Sequence, residues 1–187
     1  MRITGGKARG IQLVTPKGRE TRPATDQMRE AVFSSLGNRI EGAQIADLFA
    51  GTGAYGLEAM SRGATSGLFV ENSSEVVTCL RRNIDAVAKS CDLKNHTDWE
   101  VLTQKVYAIN ESHGPFDIVF VDPPYAMIET KLLTIFQENI APATSPNGAV
   151  CFEMPGALEL EIPGWICRRR LGKKGRDKPS VAIYERS

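Results

Sequence analysis

The sequence predicts an α/β fold: a mainly parallel sheet with helices on both faces, finished by an antiparallel hairpin. Three observations lead there. From Gln44 onward, short apolar β-type runs alternate with helix-length segments. The first run leads into Asp47-Leu48-Phe49-Ala50-Gly51-Thr52-Gly53-Ala54-Tyr55-Gly56, a G-x-G-x-x-G between a strand and a helix. The last two β-type runs have no helix between them, so they should pair as a hairpin at the sheet edge.

Taken in order, residues 1–14 alternate weakly through Ile3, Ile11, Leu13 and Val14 around Gly5-Gly6 and Gly10, which suggests a short hairpin. Two prolines and a glycine make 15–24 a loop. Thr25-Asp26 can cap a helix; Met28, Val32 and Leu36 share one of its faces, and Gly37 ends it. Strands are expected at 44–49, 67–71, 99–103, 116–121 and 147–153. Helices are expected at 54–62, 74–90 and 128–139, with a weaker one near 105–111. The closing hairpin spans 164–171 and 180–186, around a basic loop at 172–179.

The chain has 187 residues, enough for one domain with a small appendage and a full core. Hydrophobic residues are 42% and charged residues 24%, an ordinary globular composition. No apolar run approaches the ~18 residues of a membrane span. The start, MRITGGKARG, lacks the apolar stretch of a secretory signal. A cytoplasmic protein is expected. Cys79, Cys91, Cys151 and Cys167 are dispersed, with no C-x-x-C pair, which argues for unpaired thiols and no zinc site. The formal net charge of +1 is an average over unlike parts. Residues 1–30 carry seven Lys/Arg against three Asp/Glu, and 168–187 carry eight against two, so both ends are basic. Residues 31–167 carry eight against seventeen. Basic ends that converge in space make a patch for polyanions.

Glycines in the loop let the backbone turn tightly and approach a ligand closely. Glu71 closes the next strand twenty residues after Gly51, where a carboxylate can take both hydroxyls of a ribose. Loop and acid together indicate a nucleoside-containing cofactor. A dinucleotide would place its pyrophosphate at the helix start. S-adenosylmethionine has no phosphate and places its amino-acid end near such a loop. Asp47 favours the second, because a carboxylate suits an ammonium and repels a pyrophosphate.

The strand at 116–121 runs into Asp122-Pro123-Pro124-Tyr125. It should lie beside the glycine-loop strand, so that Asp122 faces the cofactor. The arrangement suits methyl transfer to an exocyclic amine. The lone pair of such an amine is conjugated into the ring and needs directing. Asp122 and the Pro123 carbonyl can accept its two N–H groups, the carbonyl being held by a stiff Pro-Pro unit. Tyr125 can stack on the base. No metal is required.

At these residues the sequence resembles the RsmD family of bacterial 16S rRNA guanine-N2 methyltransferases. The resemblance covers nearly the whole chain, through Arg2-Ile3-Thr4-Gly5-Gly6-Lys7, Arg22-Pro23-Ala24-Thr25-Asp26, Arg29-Glu30, Asp47 to Glu58, Ser61-Arg62-Gly63-Ala64, Phe69-Val70-Glu71, Asn83 and Val121 to Tyr125. It implies a class I, Rossmann-like methyltransferase fold: a seven-stranded, mostly parallel sheet with an antiparallel C-terminal hairpin, plus a small N-terminal hairpin-helix extension. The chain then divides into an RNA-facing extension at 1–40 and a methyltransferase domain at 41–187. The resemblance also implies S-adenosylmethionine as donor and a guanine amine of 16S rRNA as acceptor, in a small ribosomal subunit under assembly. A monomer is expected, with no membrane and no metal.

Residue by residue, Asp47, Gly51, Gly53 and Glu71 would bind cofactor, and Asp122, Pro123 and Tyr125 would hold the target base. Arg2, Lys7, Arg9, Arg22, Thr25, Asp26 and Arg29 would lie toward the RNA. Ala24, Gln27 and Tyr55 depart from the family's usual residues. Thr103-Gln104-Lys105 stands where the family often has Asp or Asn facing the adenine, so no adenine contact is assigned. His96 and His113 read as surface residues, Trp99 and Trp165 as packing, Cys79 as core. Three rivals stay open: an N6-adenine nucleic-acid methyltransferase, a nicotinamide-dependent oxidoreductase and a non-catalytic RNA-binding module.

Overall fold

The structure, a computed structural model, describes residues 1–16, 26–94, 96–173, 175 and 178–187, leaving aside the side chains of residues 125, 126, 129 and 130. Among the described residues seven strands make one sheet: β1 (Gln44–Leu48), β2 (Ser66–Val70), β3 (Trp99–Leu102), β4 (Phe116–Val121), β5 (Thr144–Pro155), β6 (Trp165–Gly172) and β7 (Pro179–Arg186). The spatial order is β3-β2-β1-β4-β5-β7-β6. The first five strands run parallel, and β7 pairs antiparallel with both β5 and β6. The C-terminal hairpin therefore forms as expected, with β7 inserted next to β5 and β6 left at the edge.

Four longer helices accompany the sheet: α1 (Asp26–Leu36), α2 (Ala54–Ser61), α3 (Ser74–Ser90) and α4 (Tyr125–Ile135). Alternate strand residues serve opposite faces, because side chains reverse at each step of a strand. Ile45, Phe69, Ile118, Phe120 and Cys151 pack with Val32, Phe33, Leu57 and Leu80 of α1, α2 and α3. Ala46, Leu68, Val119, Val121 and Phe152 pack with Ile128, Leu132 and Phe136 on the other face. Trp99 and Trp165 are buried packing residues, as expected; Cys79 is only half-buried. Among the described residues no helix is long and apolar enough to cross a membrane.

Three elements differ from the sequence pattern. The stretch near 105–111 holds two 3₁₀ turns, Val106–Ala108 and Glu111–His113, in place of a helix. Asn110 caps the second turn by accepting the Ser112 N–H, and Gly114-Pro115 follows at once, leaving no room for a longer helix. The helix expected at 128–139 starts at Tyr125 and continues beyond Ile135 through a π-helical stretch, Phe136–Ile140. Strand β5 begins at Thr144, before Pro146. Its pairing with β4 shifts register between Phe116 and Ile118, an irregularity that accommodates a proline with no N–H to give.

The N-terminal segment is a loop closed by the antiparallel bridge Arg2↔Gln12, with Ile3, Ala8 and Leu13 buried in the same core as α1 and α2. Glu58 of α2 fastens it. This fully buried carboxylate accepts from Thr4 N–H (2.8 Å), Thr4 Oγ1 (2.8 Å), Gly5 N–H (2.8 Å), Arg29 Nε (3.3 Å) and Arg62 Nε (2.8 Å). Arg29, fully buried on α1, also donates to Asp26 and to the Arg2 carbonyl. Removing one partner of a buried ion pair strands the other charge, which costs about 3–5 kcal/mol. Glu58→Ala should therefore lower the unfolding free energy by about that amount in urea denaturation. An unchanged midpoint would show that the network does not secure the fold.

Candidate functional site

In an open α/β sheet the crevice forms outside the carboxyl ends of the strands, where strand order reverses. Here β1 and β4 are adjacent while their chain connections leave in opposite directions, so the crevice opens between them. The glycine loop crosses its floor. Phe49 (φ 62°), Gly51 (φ 55°) and Gly53 (φ 84°) all take left-handed conformations, which turn the chain sharply from β1 into α2. A side chain on Gly53 would meet Leu80, and one on Gly56 would strike Phe69, so α2 lies tight against β2 and α3. At Gly51 the space is open: the nearest atom to an added Cβ is the Phe49 carbonyl oxygen, 3.9 Å away. That is where a ligand can reach the backbone.

Two carboxylates brace this loop. Glu71, half-buried at the end of β2, accepts from Gly51 N–H (3.1 Å) and from Ser73 N–H (2.8 Å). Asp47 sits beneath the loop, buried, with Oδ2 taking the Gly56 N–H at 2.8 Å. No described residue donates to its Oδ1. Burial pushes the Asp47 pKa up to about 7; the Gly56 hydrogen bond opposes this and the charge of Glu71 adds to it.

Asp122 follows β4, and its N–H extends the ladder to the Leu48 carbonyl (3.4 Å). Its side chain is half-buried, that of Pro123 is buried, and no described residue donates to the Asp122 carboxylate. Burial raises the Asp122 pKa well above the carboxylate range, with further contributions from the charges of Glu153 and Asp47. Glu153 on β5 is itself buried and accepts the Tyr55 hydroxyl at 3.2 Å.

The expected cofactor and base residues Asp47, Gly51, Gly53, Glu71, Asp122 and Pro123 thus converge at the ends of β1, β2 and β4. The Tyr125 side chain, Arg22 and Thr25 lie outside the described residues. Arg2, Lys7 and Arg9 are exposed on the N-terminal segment, and Asp26 pairs with Arg29 and Arg2. Arg29 requires a correction. A guanidinium with no exposed surface, engaged by Glu58, Asp26 and the Arg2 carbonyl, cannot meet phosphate. It holds the extension in place.

The stretch Thr103-Gln104-Lys105, where the sequence assigned no adenine contact, borders a cleft beside Glu71 of about 280 Å³, which Phe49, Asn72, Gln104, Lys105 and Tyr107 help to line. Residues 104–107 follow the end of β3 after Thr103, so the strand-end rule extends the expected stretch to Tyr107. Glu153 was missed, because one acid within an apolar strand carries no motif.

Helix α1 lies between the two basic ends, since Arg29 ties it to the Arg2 carbonyl. Helix α1 packs against the C-terminal hairpin, with Gly172 close against Met28 and Arg169 donating to Ser35 Oγ at 3.4 Å. Part of this charge is neutralised locally, since Arg39 and Arg168 both pair with Glu185.

The family described as Conserved hypothetical protein 95 matches residues 1–183. Ribosomal RNA small subunit methyltransferase D of Escherichia coli is 39% identical over 189 residues, covering 100% of this chain and 90% of that protein. The rRNA methyltransferase YlbH of Bacillus subtilis is 32% identical over 190 residues, covering 100% of this chain and 99% of that one. The chain belongs to the RsmD family. Its solved relative yhhF from Escherichia coli, 28% identical, superposes with a TM-score of 0.78 over 100% of this chain and 98% of that one. The fold is that of class I methyltransferases, and the protein is an enzyme of that class.

Asp47 gives a pH test. Its folded pKa of about 7 lies above the unfolded value of 3.8. The folded state therefore holds the proton more tightly, and stability from this group is complete below pH ~4 and is lost as pH rises toward 7. Urea denaturation of the ligand-free protein at pH 5 and pH 8 should show a loss that is smaller in Asp47→Asn. Equal losses would place the shift elsewhere.

Proposed function

We propose that this RsmD-family methyltransferase moves a methyl group from S-adenosylmethionine to the exocyclic N2 amine of a guanine in 16S rRNA. The methyltransferase class, ribosomal RNA as substrate and S-adenosylmethionine as donor come with the family. The base, the atom, the assembling small subunit in the cytoplasm and a monomeric enzyme are the finer reading. The observation that carries it is the Asp122 carboxylate: half-buried, met by no described donor, and placed where β4 adjoins the glycine-loop strand.

The residues present fit the donor. Glu71 can exchange its backbone hydrogen bonds for ribose hydroxyls, Gly51 leaves room for close approach, and the cleft after β3 suits an adenine. Asp47 is a buried carboxyl group with no described cation beside it, and in its ionised form it matches an ammonium. When bound, S-adenosylmethionine supplies an electrophilic methyl on a positively charged sulfur. Asp122 and Asp47, raised first by burial and then by neighbouring carboxylates (Glu153 and Asp47 for Asp122, Glu71 for Asp47), are both drawn back to their anionic forms by positive charge in the crevice.

Asp122 and the Pro123 carbonyl accept the two amine hydrogens, which turns the lone pair toward the methyl carbon. As the N–C bond forms and the nitrogen gains positive charge, the Asp122 carboxylate stabilises it and takes the proton that the amine then loses. Tyr125, one residue past Pro124, would stack on the base. A dinucleotide suits the site poorly. The carboxyl of Asp47, buried beneath the loop, would repel a pyrophosphate at the helix start. The exposed Arg2, Lys7 and Arg9, with the basic hairpin beside α1, would supply phosphate contacts.

The test is methyl transfer from labelled donor to small subunits lacking endogenous methylation, with the modified nucleoside identified. N2-methylguanosine is expected, and N6-methyladenosine would establish the rival adenine reading. In the same assay Asp122→Ala should lower kcat by about 10²-fold or more, with donor affinity little changed. Near-normal turnover would remove Asp122 from the mechanism. Replacing Arg2, Lys7 and Arg9 together by Ala should weaken RNA binding and flatten its dependence on salt. An unaltered slope would mean this segment does not touch phosphate.

A further inference from the structure

Glu153 is a buried carboxylate that the methyl-transfer chemistry above leaves idle. The parallel register of β4 and β5 pairs Val121 with Phe152, so the next step sets Glu153 across from Asp122. Glu153 alternates with Cys151 and so turns to the sheet face that carries α2. It is 6% exposed, in a strand whose neighbours Val150, Cys151, Phe152 and Met154 are buried and lack charge. A lone carboxylate there costs free energy that an apolar residue would not, so packing gives no reason for it.

Its orientation is fixed from α2. Tyr55 is buried and stacks on Phe120, with ring centroids 5.2 Å apart and planes 16° from parallel. The Tyr55 hydroxyl donates to Glu153 Oε2 at 3.2 Å. No described residue donates to Oε1. One oxygen is thus held and the other is free, beside a second free carboxylate, at the base end of the crevice. The charge of Glu153 reaches Asp122 and raises its pKa, as close approach of two carboxylates requires.

The edge of guanine that bears the N2 amine presents three hydrogens in a row, two from N2 and one from N1. Asp122 and the Pro123 carbonyl provide for two. Adenine presents its amine beside a bare N1 lone pair, which a carboxylate repels. We propose that Glu153, positioned by Tyr55, accepts the N1–H of the target guanine and so makes the site select guanine over bases whose ring nitrogen carries no hydrogen. The inference rests on the guanine-N2 reading above.

The test uses small subunits assembled with ligated rRNA, in which the target is either guanine or 2-aminopurine. The analogue keeps the amine at C2 but has a bare N1. Wild-type enzyme should favour guanine by at least about 100-fold in kcat/KM, because a site built around an N–H strongly rejects the analogue that lacks it. Glu153→Gln keeps the shape and can donate to a bare N1. It should lose about 100-fold on guanine but not on 2-aminopurine, bringing the preference within about 10-fold, with donor affinity by calorimetry unchanged.

Tyr55→Phe frees Glu153 to move and should narrow the preference in the same direction. This second variant carries the test should Glu153→Gln fail to fold. A wild-type enzyme equally active on both bases would overturn the inference while leaving guanine methylation intact. So would a Glu153→Gln enzyme that slows equally on both, since that is a structural defect. A preference arising from O6, which 2-aminopurine also lacks, would survive Glu153→Gln and would likewise overturn it. Absence of any guanine methylation by wild-type enzyme would instead sink the underlying reading, and the inference with it.

Discussion

Much of this molecule hangs on a single buried carboxylate, Glu58. It lies in α2 and accepts hydrogen bonds from the N-terminal segment, from α1 through Arg29, and from Arg62, the residue that ends its own helix. The same helix begins at the glycine loop, where Asp47 takes the Gly56 N–H and Gly56 presses on Phe69. One short helix therefore sets the position of the cofactor loop at its start and of the N-terminal extension near its end. A displacement of α2 would be felt at both. Five donors satisfy the charge of Glu58, which explains how a carboxylate with no exposed surface is tolerated.

The crevice carboxylates are placed on a different principle. Burial raises the pKa values of Asp47, Asp122 and Glu153, the charges of Glu153 and Asp47 raise Asp122 further, and few donors offset them. Such an arrangement is costly in the free protein and favourable once positive charge and N–H donors arrive. Stability is given up where binding is gained, as functional sites commonly show. The basic residues lie outside this core, on the N-terminal segment and the edge hairpin, which α1 joins. The near-zero total charge thus conceals an acidic crevice and two basic ends.

The reading from sequence succeeded where a local signal fixes a local structure. Alternating β and helical periods gave the strands of the sheet to within a few residues, apart from the early start of β5. The spacing from Gly51 to Glu71 pointed to adjacent strand ends. It failed where the outcome depended on competition. Around 105–111 a helical pattern lost to an Asn cap and a following Gly-Pro. At Arg29 a family signature suggested an RNA contact, yet the residue faces Glu58, a partner 29 positions away. Glu153 gave no signal, because its meaning comes from Tyr55, 98 residues earlier in the chain.

By itself the sequence determined the fold class, the crevice between β1 and β4, and the placement there of Asp47, Glu71, Asp122 and the loop glycines. Periodicity and turn chemistry are properties of neighbouring residues, so they can be read along the chain. Only the tertiary structure decided which charges face solvent and which face each other. Burial, desolvation and pairing depend on contacts between distant segments. Those contacts turned Arg29 inward to Glu58 and set Glu153 opposite Asp122.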